Sequence, residues 1–153
     1  MSSTSKTSQR RRSRELVLQG LYQRQRSGNA ARDVHADLTA SPGYPRSDQP
    51  YFDELWSGVG EEYDAILAAL APHLDRTPAQ LSPVEKAILV IGAWELSRRV
   101  EIPYRVVINE SVELAKSFGG TDGHRYVNGV LDRFAAGVRS AEIAAGKRDA
   151  APG

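Results

Sequence analysis

The segment from Ser82 to Trp94 constrains the fold more than any other part of the chain. Ser82-Pro83-Val84-Glu85 has the form of a helix start: the Ser82 hydroxyl can accept from first-turn amides, and Glu85 can reach back to the Ser82 amide. Pro83 falls at the first helical position, where its missing N–H removes no bond. The residues that follow, Ala87 to Trp94, are apolar on nearly every side. A helix without a polar face must lie in the middle of a molecule with other elements around it. Ile102-Pro103 ends it.

The elements to surround that helix are visible as stripes at three-and-four spacing. Residues Arg10 to about Arg26 predict a first helix, with Val17, Leu18, Leu21 and Tyr22 at helical spacing and Ser27-Gly28-Asn29 as its stop. A short helix is expected around Arg32 to Leu38, followed by a proline-rich loop from Thr39 to Pro50. Phe52, Leu55, Trp56, Val59, Tyr63, Ile66, Leu67 and Leu70 mark about five helical turns before Pro72. Tyr104, Val107, Ile108, Ser111, Val112, Ala115 and Phe118 form another stripe, closed by Gly119-Gly120 through a left-handed cap. Asp122 can cap a last helix carrying Val127, Val130, Leu131, Phe134 and Val138. Gly129 interrupts that helix, and a close helix contact there is expected to be the reason. No segment alternates as a strand would. The fold class is therefore all-α, a bundle of six to seven helices in two packed subdomains, about 10–80 and 81–140. Residues 1–9 and 141–153, rich in small and polar side chains, are expected to be disordered.

Charge is divided unevenly along the 153 residues. Residues 1–26 carry seven basic side chains against one acid, and residues 27–83 carry three bases against nine acids. A basic end and an acidic middle suggest a polyanionic partner at one place and a basic partner at another. The chain contains no cysteine, which excludes disulfides, thiolate catalysis and cysteine zinc sites. No run of about 18 apolar residues exists, so no membrane span is expected, and a cytoplasmic protein fits. His35, His73 and His124 are far apart and form no helical metal pair, so no metal, no cofactor and no enzymatic activity are expected.

Three constellations remain. Arg10, Arg11, Arg12 and Arg14 open the first helix. Their guanidiniums match phosphate, as in arginine-rich RNA-binding helices, although a solubilising basic end has the same composition. Tyr22 and Tyr126 sit at the edges of apolar stripes, where a ring either packs a boundary or stacks an unpaired base. Asp122 and Arg125 flank a helix start that can serve as a cap or as an anion site.

Arg10 to Gln23 (RRRSRELVLQGLYQ) resembles the opening of the NusB family of bacterial transcription antitermination factors. Val84 to Leu89, Trp94-Glu95-Leu96, and Ile102 to Arg133 with its ELAKSFG and YVNGVLD runs are similar as well. The resemblance covers most of residues 10 to 138 and is weak from Ser27 to Leu81. It implies a non-catalytic adaptor that, with the ribosomal protein NusE, binds boxA RNA of nascent ribosomal transcripts and helps assemble an antitermination complex on RNA polymerase, as a monomer or weak homodimer. It also implies that Arg10, Arg11, Arg12, Arg14, Tyr22, Asp122, Arg125 and Tyr126 contact RNA and that Glu85 contacts NusE. The folded chain is then expected to bring the arginine end against the Asp122 turn as one groove. The alternatives are a helical protein–protein scaffold or a detached RNA-binding module like that of ribosomal RNA methyltransferases.

Overall fold

The computed structural model describes residues 3–120 and 122–150. Among them, seven helices account for the regular structure: α1 (Ser3–Ser27), α2 (Ala31–Thr39), α3 (Gln49–Leu70), α4 (Pro83–Arg98), α5 (Tyr104–Phe118), α6 (Gly123–Val138) and α7 (Ser140–Ala150). Short 3-10 turns at Tyr44–Arg46, Ala71–His73 and Pro78–Gln80 fill the links. The helix expected to be central is central: α4 packs against α1, α3, α5 and α6, and every residue from Ala87 to Leu96 is buried. The N-terminal half (α1–α3) and the C-terminal half (α4–α7) thereby share one apolar core.

Helix directions decide where the site residues fall. Arg14 on α1 meets Glu95 near the end of α4, whereas Gln25 near the end of α1 donates to the Pro83 carbonyl at the start of α4, 3.3 Å away. The two helices are therefore antiparallel. Glu85 lies against Gly123, and Arg139 lies against the last turn of α4, so α6 runs parallel to α4. α5, joined to α4 by a short link, runs back alongside it. The ends of α1 and α5 and the starts of α4 and α6 accordingly share one end of the molecule.

Two ionic clusters sit inside the bundle. The Arg14 guanidinium makes a bidentate contact to the Glu95 carboxylate, with Nε at 2.9 Å and Nη2 at 2.9 Å, and the Tyr51 hydroxyl donates to the same carboxylate. Burial works against the Arg14 charge, but Glu95 outweighs it and holds the guanidinium protonated above its ordinary range; burial first and Glu95 second push the Tyr51 phenol upward. At the other cluster, buried Arg139 donates to the carbonyls of Leu96 (2.7 Å), Ile102 (2.9 Å) and Arg99 (3.0 Å). These are carbonyls of the α4 end and the link to α5, which otherwise lack helical partners.

Several expectations are corrected. α1 starts at Ser3, not near Arg10, because extending an existing helix adds one bond per residue fixed; Met1 and Ser2 lie outside the described residues. Residues Ser140–Ala150 form α7, which is tied down by Arg139 pairing with Glu142 and by the Tyr104 amide donating to Glu142 at 2.9 Å. Ala151 to Gly153 lie outside the described residues. α3 begins at Gln49, where Asp48 accepts from the Tyr51 amide at 3.1 Å. Gly119 leaves α5 in extended backbone, φ −89°, and the described left-handed glycine is Gly28, φ 72°, after α1. Phe118 and Val138, assigned to buried stripes, end their helices exposed.

Gly129 makes no close helix contact: a Cβ there would meet only the far end of Arg133, at 3.4 Å. Close approaches occur at other glycines, among them Gly92 on α4, where a Cβ would stand 2.7 Å from Ser111 Oγ and 2.8 Å from Leu131 Cδ1. Urea unfolding should therefore separate the two positions. Gly92→Ala should cost about 1–3 kcal/mol through overpacking, and Gly129→Ala should be neutral or stabilising by up to about 1 kcal/mol.

Candidate nucleic-acid interface

The four N-terminal arginines do not form one set. Arg14 is 3% exposed, and its Nε and Nη2 both donate to Glu95. It is a core residue, which corrects its assignment to the RNA contacts: a guanidinium cannot reach a phosphate from inside the bundle. Arg10 is partly buried, lying 4.6 Å from the Tyr51 ring centroid with Asp48 Oδ2 3.6 Å from its Nε. Arg11 is about half exposed, but Nε and Nη2 donate to Glu110 on α5, at 2.9 and 3.2 Å. That hydrogen bond raises the Arg11 pKa, opposed in part by burial. Arg12 is also about half exposed and pairs only with Glu15, one turn on, at 3.3 Å. Such an exposed i,i+3 pair contributes a few tenths of a kcal/mol and yields readily to a phosphate.

Arg12 begins a stripe. Arg12, Glu15, Gln19, Tyr22 and Arg26 recur at three-and-four spacing, and all but the half-buried Glu15 are exposed. At 1.5 Å per residue the stripe is about 21 Å long. Tyr22, 37% exposed, sits at its far end with the Arg26 guanidinium 5.8 Å from its ring.

That far end is also where α6 starts. Asp122 occupies the N-cap position, but its carboxylate makes no capping hydrogen bond and is exposed, as is Arg125. Thr121 lies outside the described residues. Tyr126 is half-buried, neither sealed nor fully open. Its hydroxyl is buried with no hydrogen bond of good geometry. Burial first, and Asp75 second, push the phenol above its ordinary value. The Arg76 guanidinium stands 4.1 Å from the Tyr126 ring centroid. Ser82 caps α4 by accepting from the Glu85 amide at 3.1 Å, but Glu85 does not complete the expected box. Its half-buried carboxylate instead abuts Gly123, at the positive end of α6, with Oε2 buried and unpaired.

The expected single groove is therefore not formed. Because α1 is antiparallel to α4, Arg10 to Arg14 and the Asp122 turn lie at opposite ends of α4. Tyr22, not the arginines, shares an end with Asp122, Arg125 and Tyr126. The exposed face of α1 is what joins the two ends. Sequence reading missed two groups here. Phe118, the last residue of α5, is an exposed aromatic at the Tyr22 end, and the glycine pair after it was the available signal. Arg76 lies in a link with no periodicity and had no signal.

The NusB family pattern matches residues 11–136. The chain belongs to the NusB family. A relative from Paraburkholderia phymatum named transcription antitermination protein NusB is 52% identical over 141 residues, 92% of this chain and 97% of the relative. A Nitrosomonas europaea protein of the same name is 52% identical over 134 residues, covering 88% of this chain and 80% of its own length. Among solved structures, T. maritima NusB superimposes with a TM-score of 0.75 at 26% identity, covering 84% of this chain and 91% of that one. The NusB fold is thus common to this chain and a protein that shares about a quarter of its aligned residues.

The arginines make a differential prediction. Arg12→Ala should leave thermal stability unchanged and flatten the slope of log RNA affinity against log salt by about one. Arg14→Ala should cost about 3–5 kcal/mol of folding stability by stranding Glu95. Calorimetry together with RNA titrations at several salt concentrations checks both.

Proposed function

We propose that this NusB-family protein is a transcription antitermination factor that binds a single-stranded boxA-type RNA along the exposed face of α1. The observation that carries the reading is the exposed stripe from Arg12 to Tyr22 and Arg26, which ends at the same end of the molecule as the Asp122, Arg125 and Tyr126 turn. Arg10, Arg11 and Arg12 hold phosphates at one end. Tyr22 and Tyr126 stack unpaired bases at the other, where Arg125 adds charge and the free Asp122 carboxylate accepts from exocyclic amines. Phosphate contacts then supply most of the affinity, and the aromatic end supplies base preference.

The remaining roles rest on family likeness. NusE, a basic ribosomal protein, is the protein partner, with Glu85 among its contacts, and the pair joins an antitermination complex on RNA polymerase. The protein works in the cytoplasm as an adaptor without catalysis. The match to nearly the whole length of relatives named as antitermination proteins favours this reading over a methyltransferase module.

A fluorescence titration of a boxA-type strand against a scrambled strand tests the reading. The full chain should prefer the boxA-type strand. Tyr126→Asp should weaken that binding about tenfold or more, consistent with roughly 1–3 kcal/mol per stacked base, while the helical circular dichroism stays the same. Equal affinity for both strands, or no effect of Tyr126→Asp, would refute it.

A further inference from the structure

Asp75 and Arg76 belong to the link between the Ala71–His73 and Pro78–Gln80 turns and lie outside any helix. Both are exposed. Arg76 nevertheless has a defined position. Its guanidinium carbon is 4.1 Å from the Tyr126 ring centroid, and its Nε donates to Asp75 Oδ1 at 3.1 Å. The hydrogen bond from Arg76 is the main influence holding the Asp75 carboxyl below its ordinary value. The Glu85 carboxylate adds a smaller share to the field that favours the cation, after Asp75 and the Tyr126 phenol. An exposed arginine loses rotamer freedom when it is held this way. The contact with the ring and the carboxylate offsets that loss.

The geometry changes what Tyr126 presents to an incoming nucleotide. One face of the ring is covered by a cation. A base approaching that face meets the guanidinium first. A guanidinium plane is itself a surface on which unpaired bases stack. The hydrogen bond to Asp75 uses Nε, and the two terminal nitrogens of a guanidinium carry four further N–H donors. Those nitrogens form the edge that matches a phosphate.

We propose that Arg76 is a nucleotide-binding residue of this site: its guanidinium stacks a base on its outer face, backed by the Tyr126 ring, and offers its terminal nitrogens to the adjoining phosphate. The inference rests on the reading of the Tyr126 end as a base-binding surface. Tyr126 then acts partly through Arg76, as the support of a two-layer platform. Asp75 is a positioning residue that fixes the plane of the fork before RNA arrives, which reduces the ordering cost of binding. The link after α3 thereby becomes part of the interface.

The test is the affinity for a boxA-type strand, measured as a function of salt, for the full chain and for Arg76→Ala, Arg76→Lys, Tyr126→Ala and the double variant Arg76→Ala/Tyr126→Ala. Arg76→Ala should weaken binding about tenfold and lower the salt slope by about one. Arg76→Lys should restore the slope but not the full affinity, because an ammonium has no plane to stack. The double variant should lose less than the product of the two single losses, since the two residues form one platform. Thermal unfolding of the two Arg76 single variants should be unchanged, as the link is exposed.

Unchanged or tighter binding by Arg76→Ala overturns the proposal, because the guanidinium would then only shield the ring. Losses that simply multiply in the double variant overturn the platform, leaving Arg76 an independent cation. Unchanged binding by Tyr126→Ala, with Arg76→Ala weakened, sinks instead the base-stacking reading of Tyr126, and with it the two-layer site.

Discussion

The buried pair between Arg14 and Glu95 sets the relation of the first helix to everything else. An ion pair inside a protein loses hydration on both partners, and its net stabilisation over an apolar pair of the same shape is small. Here the bidentate fork and the Tyr51 hydroxyl meet the hydrogen-bonding needs of the carboxylate. The geometric consequence is larger than the energetic one. With Arg14 turned inward against α4, the rotation of α1 is determined. Arg12, Gln19, Tyr22 and Arg26 must then face solvent, while Leu16, Val17, Leu18 and Leu21 face the core. One helix supplies both a wall of the hydrophobic core and the surface proposed for RNA.

The same pair explains a division among chemically identical side chains. Arg12 and Arg14 are two residues apart, yet one is a surface cation and the other a core residue. Their partners account for this: Glu15 is a local neighbour on the same helix, whereas Glu95 is buried 81 positions away in sequence. The Arg139 cluster follows similar logic at the same end of α4, where a guanidinium serves as the cap of that helix.

Features that depend on local chemistry are legible in the amino-acid sequence. The Ser82-Pro83 start, the apolar run to Trp94, and the stripes of α3, α5 and α6 identify an all-helical bundle around α4. Features that depend on distant partners are not legible there. The inward turn of Arg14 needs Glu95, and the ordering of α7 needs Glu142 to meet the Tyr104 amide. The Glu85 carboxylate turns away from its own helix because Gly123 comes near it in the fold. The arginine end and the Asp122 turn each look functional in sequence, but only helix direction shows that they are a helix length apart. Arg76 lies in an aperiodic connector, and its place over Tyr126 follows from tertiary packing alone.

In the proposed complex an extended strand lies along α1, with phosphates held towards Arg12 and bases received between Tyr22 and Tyr126. Site-specific photocross-linking tests this most directly, using a boxA-type RNA that carries 4-thiouridine at one end or the other. One RNA end should cross-link to peptides around Lys6 to Glu15 and the opposite end to peptides containing Tyr22 or Tyr126. Cross-links from both RNA ends to a single end of the molecule, or to the outer face of α3, would contradict it.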